Sequence, residues 1–250
     1  MTVPLIAPLL VRSVDPVTDP AWSILLQQKA AGLFHSPPWL QAIGESYGIP
    51  VRACVAVDSV GKPVGGIAYC EMDDLAGHRI VSLPFSDNCD PLFTSIDIWH
   101  ALLSQLQSKQ IPVYLRCLFE HRVSAEESLF IVKRTRWHRL SVCAPEEEIW
   151  QAIAPPARRA IRRAERAGVD IRPMSGDADR EAFYRMHVAL RKAKYRLLAQ
   201  PPRFFQAIEH RFQEIGGWHS LAAFLDGRMI AAAVYLRWGG VLFYKFNASG

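Results

Sequence analysis

The chain has 250 residues, half of them hydrophobic and about a fifth charged, an ordinary globular composition for one large domain or two small ones. No run of about 18 apolar residues occurs, so nothing reads as a membrane-spanning helix. Met1 to Val11 lacks a basic start and is interrupted by Pro4 and Pro8, unlike a signal peptide. The net charge of +5 is unevenly placed: Gln151 to Arg211 holds 14 Lys+Arg against 6 Asp+Glu, net +8, which leaves −3 for the rest. Basicity confined to one segment points to a local anionic partner: nucleic acid, a phosphorylated cofactor, an anionic acceptor or a membrane surface. Cys54, Cys70, Cys89, Cys117 and Cys143 are odd in number and scattered, with no C-x-x-C. They read as reduced, mostly buried thiols of a cytoplasmic protein, not as a disulfide frame or a zinc site.

In chain order, Leu5 to Val14 reads as a strand and Trp22 to Ala31 as a helix. HSPPWLQAIGESYG (35–48) is a proline-started helix, since proline in the first turn lacks only an N–H that would be unpaired anyway. Residues 51–73 predict a hairpin turned at Asp58, Gly61 and Pro63. His78 to Leu83 is a strand, followed by the polar loop PFSDNCDPL (84–92), a helix over Ser95 to Lys109 and a strand over Ile111 to Leu118. Phe130 to Val142 predicts one or two more strands. Glu146 to Gly168 is helical with a break at Pro155-Pro156. Val169 to Pro173 is a strand, Asp179 to Leu198 and Arg203 to Ile215 are helices, and 221–250 gives three strands turned at Asp226-Gly227 and Gly239-Gly240.

Two stretches repeat one order of elements. PPWLQAI leads to a VAVD turn and GKPVGGIAY; PPRFFQAI leads to an AFLD turn and GRMIAAAVY. Gln41 and Gln206 lie 165 apart, and Gly61 and Gly227 lie 166 apart. This predicts an internal repeat and two similar α/β domains, 1–144 and 145–250. The first copy continues through strand, loop, helix and strand, whereas the second stops at Gly250. The expectation is therefore an incomplete second domain, truncated or completed by a partner, exposing a sheet edge and an apolar face; the alternative is a natural variant with a smaller second domain.

The basic segment opens with PPARRAIRRAERAG (155–168). Arg158, Arg162 and Arg166 recur every four residues as one stripe, and Arg159 and Arg163 form a second beside it. Glu165 is the only acid there, so intrahelical pairing cannot neutralise the stripes. Arginine suits two-pronged grip on phosphate, though a solvated basic face has the same pattern. RKAKYRL (191–197) adds Arg191, Lys192, Lys194 and Arg196 around Tyr195, a composition that grips a phosphodiester chain and stacks on a base, or simply packs. His187, four residues before Arg191, reads as structural. No phosphate-binding glycine loop, no triad and no metal-ligand spacing occurs. In SLPFSDNCDP (82–91), Asp87, Asn88 and Asp90 could receive an amine or turn the chain through side-chain hydrogen bonds. In FYKFNAS (243–249), Lys245 and Asn247 alternate onto one face, where they could hold a developing oxyanion.

The repeat, RRAIRRAERAG, RKAKYRLLAQPPRFF, DGRMIAAAVYLRWGG, the YKFNAS strand and the VSLPFSDNCDPL loop together resemble the Fem-type aminoacyltransferases and their GNAT-like acetyltransferase relatives. The resemblance implies two tandem GNAT-like domains of α/β fold. It implies transfer of an acyl or aminoacyl group to an amine of a cell-envelope, peptidoglycan or exopolysaccharide precursor. Amine attack on an ester or thioester needs no covalent enzyme intermediate. The implied donor is aminoacyl-tRNA or acyl-CoA, with no metal. The Gly-rich acyl-CoA loop of ordinary GNAT enzymes and the long helical insertion of Fem enzymes are both absent from the sequence. On this reading Lys245 and Asn247 are catalytic. Arg158, Arg159, Arg162, Arg163, Arg166, Arg191, Lys194 and Tyr195 face the donor, and Asp87, Asn88 and Asp90 face the acceptor. A peripheral membrane contact belongs to the same reading. An acyl-CoA-dependent N-acyltransferase and a non-catalytic RNA- or anion-binding protein are the alternatives.

Overall fold

The computed structural model describes residues 9–28 and 31–250. They form two compact units. One comprises the described residues up to Lys133 with Pro201–Gly217 and Arg237–Val241; the other comprises Arg134–Gln200, Trp218–Leu236 and Leu242–Gly250. The units interleave along the chain and so differ from a single cut at 144/145.

The first unit is built on a five-stranded sheet in the order β1 (Leu10–Val14), β2 (Val51–Val57), β3 (Pro63–Asp74), β4 (Gly77–Val81), β5 (Val113–Tyr114). The first four are antiparallel and β5 runs parallel to β4. The β2–β3 turn is fixed by Asp58, whose Oδ1 accepts the N–H groups of Val60 at 3.0 Å and Lys62 at 2.9 Å. Gly66 is required by close packing, because a Cβ there would stand 2.8 Å from Leu25 and 3.0 Å from Trp22. Helices α1 (Pro20–Gln28), α2 (Pro37–Tyr47) and α3 (Ile96–Gln107) flank this sheet. Trp22, Trp39 and Trp99 are fully buried in the unit. Proline starts α2, and Gly48 ends it in the left-handed conformation with its N–H on Gly44 O.

In the second unit α4 (Glu146–Ala152) and α5 (Pro155–Arg166) come first, then β6 (Asp170–Arg172) and α6 (Gly176–Leu190). A π-helical turn, Arg191–Tyr195, continues α6. The sheet runs β6, β7 (Trp218–Leu225), β8 (Arg228–Trp238), β9 (Val241–Ser249). Asp226-Gly227 and Gly239-Gly240, the residues expected to turn the chain, all have positive φ, the two-residue hairpin geometry that matches strand twist.

Helix α7 (Pro202–Gln213), the second copy of the repeat's proline-started helix, packs in the first unit against α2, the first copy. Phe204 meets the rings of Trp39 and Tyr47 at 5.9 and 5.3 Å, and Arg211 pairs with Glu45. Burial of Phe204, Phe205, Ile208 and Phe212 explains why a helix whose sequence lies in the second half joins the first unit.

Other elements differ from the sequence reading. Phe130 to Val142 forms no strand: Phe130, Val132 and Leu140 are exposed, and among the described residues no strand pairs with this apolar run, so extension gains it nothing. Ile111 to Leu118 is a strand only at Val113–Tyr114. The expected strand over Leu5 to Val14 is present from Leu10, and its start lies outside the described residues; so do Lys29 and Ala30 of the expected helix at Trp22 to Ala31. Cys54, Cys70 and Cys89 are buried, while Cys117 and Cys143 are exposed.

Candidate functional site

Helix α5 begins at Pro155-Pro156 and buries no residue. Its arginines therefore project to solvent. Arg158 donates to Gln151 Oε1 at 2.7 Å, and the Arg162 guanidinium lies 5.7 Å from the Trp150 ring centroid. These two contacts brace α5 on α4. Arg159, Arg163 and Arg166 make no ion pair among the described residues. From Arg158 to Arg166 the cations extend along about 12 Å of helix axis, longer than one phosphate group.

The end of α6 is a built turn. His187 is buried, and its Nε2 donates to Gln200 Oε1 at 3.0 Å. Tyr184 Oη donates to Gln200 O at 3.1 Å. Arg191 Nη2 and Nε donate to Leu198 O at 3.3 and 3.4 Å, and Leu197 N donates to Arg191 O at 3.1 Å. Arg196 takes the left-handed conformation, φ 52°. Burial holds the His187 imidazole below its ordinary pKa. Arg191 is thus spent on its own loop, whereas Lys192, Lys194, Tyr195 and Arg196 are exposed, Lys194 beside the Tyr195 ring at 5.6 Å.

Strand β9 presents two faces. The Tyr244 and Tyr235 rings meet at 5.3 Å, which puts them on one side of the sheet. Alternation carries Phe246 and Ala248 to that side; both are buried, and Phe246 meets the His187 ring of α6 at 6.2 Å. Lys245 and Asn247 occupy the other side, which they share with buried Ala232 and Val234 of β8. Lys245 is half-buried and Asn247 exposed. Alternation puts the Cβ atoms of Lys245 and Asn247 on one face, while the Lys245 ammonium reaches back to 5.6 Å from the Phe246 ring centroid. A cleft of about 640 Å³ lies on the α6 side, lined by Ala182, Arg185, Met186, Arg228 and Ile230 among others; neither Lys245 nor Asn247 reaches it.

The loop after β4 belongs to the first unit and is strained. Leu83 and Phe85 are bulky residues at φ 67° and 61°, a conformation such residues rarely adopt. Neighbours hold it. Phe85 stacks on Tyr47 at 4.0 Å, Trp39 Nε1 donates to Ser86 Oγ at 2.8 Å, and Arg116 Nη1 donates to Ser86 O at 2.7 Å. Asp90 is buried. Its Oδ1 accepts three backbone N–H groups, of Leu118, Phe119 and Glu120, each at 2.9 Å. Its Oδ2 accepts from Asn88 at 3.0 Å. Gly32 N donates to His35 Nδ1 at 3.1 Å, so His35 is neutral and its Nε2 donates to Asp90 O at 2.7 Å. Asp90 and Asn88 are bound into the scaffold, and only Asp87 of the three expected acceptor residues is exposed. Burial raises the Cys89 thiol well above its ordinary pKa, so it is not a thiolate nucleophile.

The arginine stripes, the π-helical turn and the Lys245–Asn247 face all belong to the second unit, on α5, α6 and β9. No described contact joins the three. Sequence reasoning missed the positive-φ residues Leu83 and Phe85, the Arg116 strut and the role of Gln200. The first three depend on distant partners; only the Pro201-Pro202 pair after Gln200 hinted at a chain boundary there. Among the described residues no group of three or more His, Cys, Asp or Glu side chains is placed to hold a metal ion.

Residues 156–249 match the family described as the acetyltransferase (GNAT) domain. This span contains α5, α6 and β9. The match covers 94 of the 250 residues, and the fold of the chain is Fem-like. A crystal structure of FemX superposes with TM-score 0.61 over 90% of this chain and 77% of that one, at 11% identity. A GCN5-related glucosamine N-acetyltransferase region of a fungal multi-domain β-N-acetylglucosaminidase aligns over 92% of this chain and 28% of that one, at 12% identity and TM-score 0.38. No curated protein matches the chain by sequence.

Proposed function

We propose that the chain transfers an acyl or aminoacyl group from an anionic donor to an amine of a cell-envelope or exopolysaccharide precursor, in the cytoplasm. The observation that carries this reading is the GNAT-domain match over 156–249, because it spans both the arginine helix and the strand bearing Lys245 and Asn247. The exposed arginines of α5 would bind the donor's phosphates. A neutral amine would attack the ester or thioester carbonyl. The carbonyl oxygen would become a tetrahedral oxyanion, and Lys245 and Asn247, on one sheet face, could donate to it. Collapse would expel the alcohol or thiol of the donor, which would take up the proton that the amine gives away. Asp87 would be the acceptor-side residue left accessible by the loop.

Two donors fit this scheme. An aminoacyl-tRNA suits a stripe of cations longer than one phosphate; an acyl-CoA suits the acetyltransferase character of the matching family. The test is transfer by the full-length protein from charged tRNA or from acetyl-CoA to an amine-bearing muropeptide precursor, followed as a mass gain on the acceptor. The reading expects a mass gain with one donor. A folded protein that transfers from neither donor, while still binding RNA, would be a binding protein on an acyltransferase fold.

A further inference from the structure

We propose that the loop 192–198 is a docking element for an anionic lipid surface. It carries Lys192, Lys194 and Arg196, all exposed, and none of them pairs with an acid among the described residues. Beside them stand Tyr195, Leu197 and Leu198, and Leu198 is 93% exposed. Two adjacent leucines facing water gain nothing from RNA, which rewards cations and flat rings. They do gain from the acyl region under a layer of phosphate headgroups, where an aromatic ring settles at the boundary and cations neutralise the lipid charge.

The loop is also rigid enough to present these groups. Its exposed tip is closed by Arg191 on Leu198 O and by Leu197 N on Arg191 O. Its base is fastened to buried His187 and to Tyr184 through Gln200. The ordering cost of the tip is therefore met by the fold before any lipid is bound. Helix α5 is a different surface: its apolar stripe is mostly alanine, so its five arginines have little to insert with.

The test is co-sedimentation of the full-length protein with vesicles of phosphatidylcholine alone and of phosphatidylcholine with about a third phosphatidylglycerol. It needs no turnover, so it succeeds or fails apart from the transferase reading. The expected result is binding to the anionic vesicles alone. Leu197→Ser with Leu198→Ser should weaken it about tenfold or more although every charge is kept, and Lys192→Gln with Lys194→Gln should weaken it by a similar factor. A thermal melt equal to that of the parent shows that the variants are folded. Equal binding to both vesicle types, unchanged binding by the leucine variant, or loss of tRNA binding in that variant with vesicle binding retained, would each overturn the proposal.

Discussion

Replacing Asp90 by alanine separates a structural carboxylate from a ligand for an amine. The side chain is buried, and one oxygen holds three backbone N–H groups at 2.9 Å across the sequence gap to Leu118–Glu120. Hydrogen bonds to a charged group contribute about 1.5–3 kcal/mol each, and those N–H groups are partly accessible to replacement water. Taking the low end, Asp90→Ala should cost about 3–5 kcal/mol. At a urea slope of roughly 2 kcal/mol/M the unfolding midpoint should fall by about 2 M. Asp90→Asn keeps an acceptor oxygen but turns an amide toward the Asn88 amide, and should cost about 1–2 kcal/mol. Urea unfolding followed by fluorescence reads this directly, since Trp22, Trp39 and Trp99 are all buried in the same unit. A loss below about 1 kcal/mol in Asp90→Ala, with acceptor affinity abolished, would refute the structural assignment and return Asp90 to the acceptor site.

Three further outcomes are expected. Gly66→Ala should destabilise the first unit by about 1–3 kcal/mol, seen as a lower urea midpoint, because the new methyl would press on Leu25 and Trp22. His35 is held neutral below its ordinary value of 6.5, chiefly by burial. Protons then bind the unfolded chain first, so its contribution is full above pH 6.5 and is lost as pH falls toward the folded-state value. The midpoint should decline from pH 7 to 5, with a shallower decline in His35→Gln. Lys245→Ala should lower the transfer rate about tenfold to a hundredfold without weakening donor binding, as loss of an oxyanion donor does; an unchanged rate would remove Lys245 from the site.

Local chemistry was readable in advance. Proline at 37–38 and 202 starts helices, Asp226-Gly227 and Gly239-Gly240 turn hairpins, and 243–249 alternates as strands do. Each depends on residues within a few positions of one another. What the sequence hid depends on distant groups. The three N–H partners of Asp90 lie 28 to 30 residues away. The run at 130–142 has strand composition but no neighbouring strand among the described residues. Helix α7 carries the signature of a repeat, yet nothing in its own residues says that it packs on the first copy. The arginine stripes were legible from spacing, and their solvation on α5 agrees with that spacing; their ligand was not.

Filter binding of charged tRNA to the full-length protein, across a range of salt and with acetyl-CoA as competitor, tests the central claim that α5 holds the donor. The account predicts binding that falls steeply with salt, or binding displaced by acetyl-CoA, and in either case lost when Arg162 and Arg163 are both changed to Glu. Binding of either donor that is untouched by those substitutions, or no binding of either donor at low salt, would contradict it.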